Sequence, residues 1–279
     1  MAEFDPRLTP ARPDLAAKHL QGKVLAARFV EGTPYEVNDP VAPLRRVPQS
    51  DAPLDTEALM GERLSVYEIT EEGWAWGQLE NDDYVGWLPA SALVPPALTR
   101  SHKVSAVRTL AFPGPSIKLP PLQGLPFGAQ VELDRVEGAL AFTSAGYIPF
   151  RHLVPVADKA SDFVAVAERF LGSPYLWGGK TSLGIDCSGL VQIALNACGL
   201  HCPRDTYMQE ASLGQPVPAS ELRRGDLIFW QGHVAIARDT ETMIHANAFH
   251  MAVAIEPIAE AVERIRQGGG EEISSVRRI

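Results

Sequence analysis

Gly184-Ile185-Asp186-Cys187-Ser188-Gly189-Leu190 is the stretch on which the rest of the chain is read. Just downstream, Leu190, Val191, Ala194, Leu195 and Cys198 recur at helical spacing and Gly199 offers a stop. The spacing therefore predicts a buried apolar helix with Cys187 in its first turn. Unpaired backbone N–H groups and the positive end of the helix dipole would face its sulfur. That setting draws a thiol from a pKa of ~8.5 into the reactive range. It also offers N–H groups to an oxyanion formed in acyl transfer. Upstream, Pro174-Tyr175-Leu176-Trp177-Gly178-Gly179 is an aromatic, turn-rich run.

A lone cysteine is more often a small buried hydrophobe. A thiol nucleophile needs a base within hydrogen-bond reach, and the base needs an orienting group. The chain has seven histidines, and two stand in a suitable pattern. His233 opens the alternating strand His233-Val234-Ala235-Ile236-Ala237, and His245 lies in Met243-Ile244-His245-Ala246-Asn247. Neighbouring strands can carry both imidazoles on one face. His233 is then the base that pairs with the thiolate and later protonates a leaving amine, and His245 fixes its tautomer.

Working outward, Asp162 is an N-cap for a helix over 163–171 that Gly172 ends. A short helix is expected near 206–213, strands at 226–230, 233–237, 243–246 and 252–255, and a helix at 258–267. Helices first and an antiparallel sheet after them make an α+β domain. Before Pro155 the pattern is strand and turn. Residues 63–69 alternate polar and apolar, with further strands at 24–30, 74–79, 84–89, 104–107, 129–133 and 140–143. Residues 110–126 read as a long Pro/Gly loop. Gly86-Trp87-Leu88-Pro89 is echoed by Gly146-Tyr147-Ile148-Pro149, and each is followed by a segment ending in Leu-Val-Pro, at 93–95 and 153–155. These suggest two small barrels. Prolines 6, 10 and 13 make residues 1–20 an arm. The domains are thus read as 1–20, 21–95, 96–157 and 158–279.

The net charge is −9, and no basic run is present, which speaks against nucleic-acid binding. Three cysteines are too few for a disulfide framework and suit a reducing compartment. Cys198-Gly199-Leu200-His201-Cys202 offers three metal donors over five residues without a suitably spaced fourth, so it reads as structural. No apolar run reaches membrane-spanning length, and the first thirty residues show no secretion signal. A cytoplasmic monomer without membrane contact is expected.

Asp-Cys-Ser-Gly, then Gly-His-Val-Ala-Ile, then Ile-His-Ala-Asn resembles the NlpC family of cell-wall cysteine peptidases. Gly61-Glu62, Gly73-Trp74 and Gly86-Trp87-Leu88-Pro89 resemble bacterial SH3 domains. The combination implies an α+β chain: a permuted papain-like catalytic domain preceded by two small SH3-like β-barrels. It implies cleavage of the γ-D-Glu to diamino-acid bond (meso-diaminopimelate or Lys) in murein tri- or tetrapeptides with a free N-terminal L-Ala, during peptide recycling. No metal or organic cofactor is implied. Tyr175 matches the family tyrosine beside the nucleophile and would help bind the oxyanion. Asp186 and Ser188 would line the cleft, although Asp186 serves equally well as a helix cap. Asp205, Glu62 and Tyr84 match positions that hold the substrate ammonium, which needs carboxylates around it. An N-acetylmuramoyl-L-alanine amidase and a non-catalytic wall-binding module are the rival readings. The intact Cys187/His233/His245 set disfavours the latter.

Overall fold

The computed structural model describes residues 4–96 and 100–279, which divide into two compact units, residues 1–157 and 158–279.

In the first unit a seven-stranded antiparallel sheet runs Leu54–Leu59, Val41–Arg45, Val85–Pro89, Trp74–Leu79, Arg63–Ile69, Thr33–Val37, Leu93–Val94. The alternation at 63–69 is realised: Leu64 and Val66 are buried while Arg63 and Ile69 face out. Of the stretch expected as an arm, residues 7–17 lie packed on this sheet: the Arg7 carbonyl accepts the Val85 N–H, and the Leu8 carbonyl accepts from Gln78. Leu15–Ala17 pairs in parallel with Arg28–Val30, and Leu15 is buried against Trp76, Val85 and Trp87. The Arg12 guanidinium stacks over Trp76 at 4.3 Å and Trp87 at 4.8 Å and pairs with Glu68. The tryptophan cluster is therefore filled from within the chain. Thr33–Val37 and Val41–Arg45 escape the sequence reading because Pro34 and Pro43 interrupt a strand pattern.

Residues 102–155 form three smaller sheets around a core that includes Val104, Ala111, Leu125, Val131, Ala141 and Ile148. The Pro/Gly segment is shorter than expected. Arg108–Ala111 and Gln123–Pro126 pair as a hairpin, which confines Pro113, Pro115, Pro120 and Pro121 to its loop.

The second unit holds α1 (Phe163–Glu168), α2 (Cys187–Ala197), α3 (Thr206–Ser212) and α4 (Ile258–Gln267). Asp162 caps α1 as expected, accepting N–H groups of Val164 and Ala165. A six-stranded antiparallel sheet runs Gln215–Pro216, Ser275–Arg278, Leu227–Trp230, His233–Ala237, Thr242–Asn247, Ala252–Pro257. α2 lies against the strands His233–Ala237 and Thr242–Asn247. Ile258, Val262 and Ile265 of α4 pack on Ala235, Ala237 and Met243. Among the described residues no helix is long and apolar enough to cross a membrane.

Candidate active site

α2 begins at Cys187. Asp186 caps it, accepting the Gly189 N–H at 2.7 Å. Gly189 must be glycine here, because a Cβ would overlap the Gly179 carbonyl. Asp186 also accepts the Gly178 N–H at 2.8 Å and is gripped by Arg204, whose Nη1 and Nη2 reach its two oxygens at 2.9 and 2.8 Å. Arg204 is 0% exposed and also donates to Ser188 Oγ at 2.9 Å. Asp186 and Ser188, expected to line the cleft, are buried parts of this brace, so Asp186 acts as the cap that was its other reading. Arg204 itself, overlooked beside Asp205, holds the start of α2 to the Gly178–Gly179 turn.

The Cys187 sulfur is enclosed. Thr206 Oγ1, at the start of α3, lies 3.8 Å away. The backbone N–H groups of Val234 and Ser188 also donate to the sulfur. The Val234 contact sets the thiol at the start of the strand that His233 opens. Burial, and then the charge of Asp186, push the thiol up to about 11, outweighing these donors. Burial, helped by the Arg264 charge, pushes His233 down to about 4. Burial of both groups thus works against the expected thiolate–imidazolium pair. Burial disfavours each charged form more than the helix end and the N–H donors favour the thiolate.

His233 and His245 come together, with His233 Nε2 2.8 Å from His245 Nδ1. His245 is buried, and burial, His233, Arg264 and His250 all depress its pKa. Its Nε2 lies 2.6 Å from Glu256 Oε1, and Arg264 of α4 binds that same oxygen. Neither Glu256 nor Arg264 stood out in the sequence, although Glu256 is the one charge in Ala252-Val253-Ala254-Ile255-Glu256. His245, His250 and Glu256 place donor atoms within 4.8 Å of one another. The Arg264 cation on Glu256 opposes a metal ion there.

Tyr175 is half-buried, and its N–H donates to the Met251 carbonyl at 2.9 Å. Burial first, then the nearby Cys187 and Asp186, push its phenol up to about 12. It stays an O–H donor near the thiol throughout the neutral range. Asp205 is half-buried at the N-cap of α3, and its side chain makes no cap bond. Glu62 and Tyr84 belong to the first unit. Glu62 accepts the Leu59 N–H at 2.9 Å, and Tyr84 is 1% exposed. Cys202 is buried and donates to the Pro203 carbonyl at 3.4 Å, while Cys198 is half-buried at the end of α2.

Residues 172–266, which include the helix-borne Cys187 and the hydrogen-bonded His233 and His245, match the NlpC/P60 family. The chain carries an NlpC/P60 domain. Ahead of it, residues 44–93 match the bacterial dipeptidyl-peptidase SH3 domain. The chain is 32% identical over 145 residues to dipeptidyl-peptidase 6 of Lysinibacillus sphaericus, covering 49% of this chain and 54% of that protein. It is 34% identical over 142 residues to a gamma-D-glutamyl-L-lysine dipeptidyl-peptidase of Bacillus cereus, covering 48% and 40%. The chain thus spans about half the length of these curated relatives. A crystal structure of an NlpC/P60 family protein from Bacillus cereus shares the fold, with a TM-score of 0.72 at 21% identity over 88% of this chain and 99% of that one.

Proposed function

We propose that this chain is a cysteine peptidase acting on peptidoglycan peptides, and that it hydrolyses the bond from γ-D-Glu to the diamino acid when L-Ala carries a free amine. The observation that carries the reading is Cys187 at the start of α2, hydrogen-bonded by the Val234 N–H beside the His233–His245 pair. The names of the relatives and the paired domain matches support the substrate class.

The geometry suggests the steps. His233 takes the Cys187 proton as the sulfur attacks the γ-carbonyl carbon. The carbonyl oxygen becomes an oxyanion, for which α2 N–H groups and the Tyr175 hydroxyl are the donors. His233 returns the proton to the departing amine. Water, deprotonated by the same imidazole, then opens the thioester and releases L-Ala-γ-D-Glu. Asp205, Glu62 and Tyr84 are proposed for recognition of the ammonium on the resemblance alone. On the same basis residues 21–95 and 96–157 are proposed as successive SH3-like domains, 158–279 as the catalytic domain, and the setting as cytoplasmic peptide recycling by a monomer.

Mass spectrometry of products from L-Ala-γ-D-Glu-meso-diaminopimelate, free and N-acetylated, tests this with wild type and Cys187→Ala. Release of L-Ala-γ-D-Glu from the free-amine peptide alone, and none by the variant, is expected. Equal cleavage of the acetylated peptide would remove the amine-recognition proposal, and cleavage by Cys187→Ala would remove the thiol mechanism.

A further inference from the structure

The hydrogen-bonded row does not end at the second histidine. We infer that Glu256 is a positioning residue, whose carboxylate sets the proton positions of both imidazoles so that His233 meets the thiol with a bare Nδ1. The inference rests on the peptidase reading of Cys187 and His233.

Strand register explains how the carboxylate reaches its place. Met243 lies opposite Glu256 and His245 opposite Ala254. Alternation puts Met243 and His245 on one face, the face that α4 covers. Glu256 is therefore the diagonal neighbour of His245. The small side chain of Ala254 leaves the diagonal open, and the two groups meet at 2.6 Å. From the other side Arg264 binds the same Oε1, and the ring of Phe249 lies 4.3 Å from the guanidinium carbon.

The donors and acceptors then permit one arrangement. Arg264 has only N–H groups to offer, so Glu256 Oε1 accepts from it. An ionised carboxylate paired with a guanidinium is an acceptor only, so His245 Nε2 carries a proton and donates. A neutral imidazole has a single N–H, which leaves His245 Nδ1 as an acceptor. His233 Nε2, 2.8 Å away, must donate to it. The one proton of neutral His233 is then spent on Nε2, and Nδ1 keeps the lone pair that receives the Cys187 proton. The opposite order, with His245 protonated on Nδ1, would move the His233 proton to Nδ1 and block the base. Without the carboxylate nothing in this row distinguishes the two. The competing role for Glu256 is a plain strand-to-helix clamp with Arg264.

The test is NMR of the imidazole nitrogens in the ¹⁵N-histidine-labelled full chain, together with steady-state kinetics on the free-amine peptide. In wild type both rings are expected to carry the proton on Nε2. A wild-type His233 protonated on Nδ1 overturns the inference without any variant. Glu256→Leu removes the acceptor. It is expected to shift both rings partly to the Nδ1–H form and to lower kcat by ~10- to 100-fold. KM is expected to stay within about twofold, since substrate contacts are untouched. Glu256→Gln keeps an acceptor oxygen, and it should retain the wild-type tautomers and most of kcat. Unchanged tautomers in a folded Glu256→Leu would leave only the clamp and overturn the positioning role. The tautomers are read without substrate. A wild type that cuts no murein peptide would therefore count against the peptidase reading and leave the proton arrangement standing.

Discussion

At Cys187 and His233 burial acts on both partners in the same sense, toward the uncharged form. The thiol is pushed up to about 11 and the imidazole down to about 4. On the proposed mechanism, removing the thiol proton is then part of the attack, with His233 as general base. Alkylation by iodoacetamide reads this, because the thiolate is the reacting species. The rate constant for wild type is expected to keep rising with pH toward about 11. A plateau reached near neutrality, at about pH 6–7, would instead show a preformed thiolate–imidazolium pair. His245→Ala should leave the thiol's own titration nearly in place, since Cys187 owes its shift to burial and Asp186.

At the scale of elements, the reactive end of α2 depends on a brace outside the reacting row. Arg204 and Asp186 form a buried ion pair at 2.8 Å, with the Gly178 and Gly189 N–H groups satisfying the carboxylate further. Removing one partner strands the other charge away from water. Arg204→Met is expected to cost on the order of 3–5 kcal/mol in urea unfolding. The paired change Arg204→Met/Asp186→Ala should cost less than the sum of the two single changes, because it strands no charge. Additive losses would mean that the two side chains do not act as a pair. This brace also marks how far the sequence could be read. α2, α4 and the strands carrying His233 and His245 were legible because their apolar residues repeat at the period of the element. Asp162 was legible as a cap because capping is local. Arg204, Glu256 and Arg264 were not, because each owes its role to partners that only strand register or helix packing brings near. The Thr33–Val37 and Val41–Arg45 strands were hidden for a different reason: proline masks their alternation, and only pairing with distant strands pulls them into the sheet.

For the whole molecule, the uncharged histidine row ties stability to pH in one unit and not the other. Both His233 and His245 have depressed pKa values in the folded chain. In the unfolded chain each takes up a proton below about 6.5. Their contribution to stability is therefore intact above that pH, and it is lost as the pH falls from there toward the folded values. At pH 5 the unfolded state should gain on the order of 2 kcal/mol for each imidazole that stays neutral in the folded state. Both lie in the second unit, on the strands His233–Ala237 and Thr242–Asn247. Hydrogen exchange, corrected for the intrinsic effect of pH, should show the amides of these strands losing protection between pH 7 and 5. The sheet that holds Arg63–Ile69 and Trp74–Leu79 in the first unit should not share that loss. His245→Gln removes one titrating ring, so its stability should fall less steeply over this range, whatever its starting value. An equal slope in wild type and variant would mean that the ring is already charged in the folded protein. In that case the neutral row, and the proton order assigned to it, could not stand.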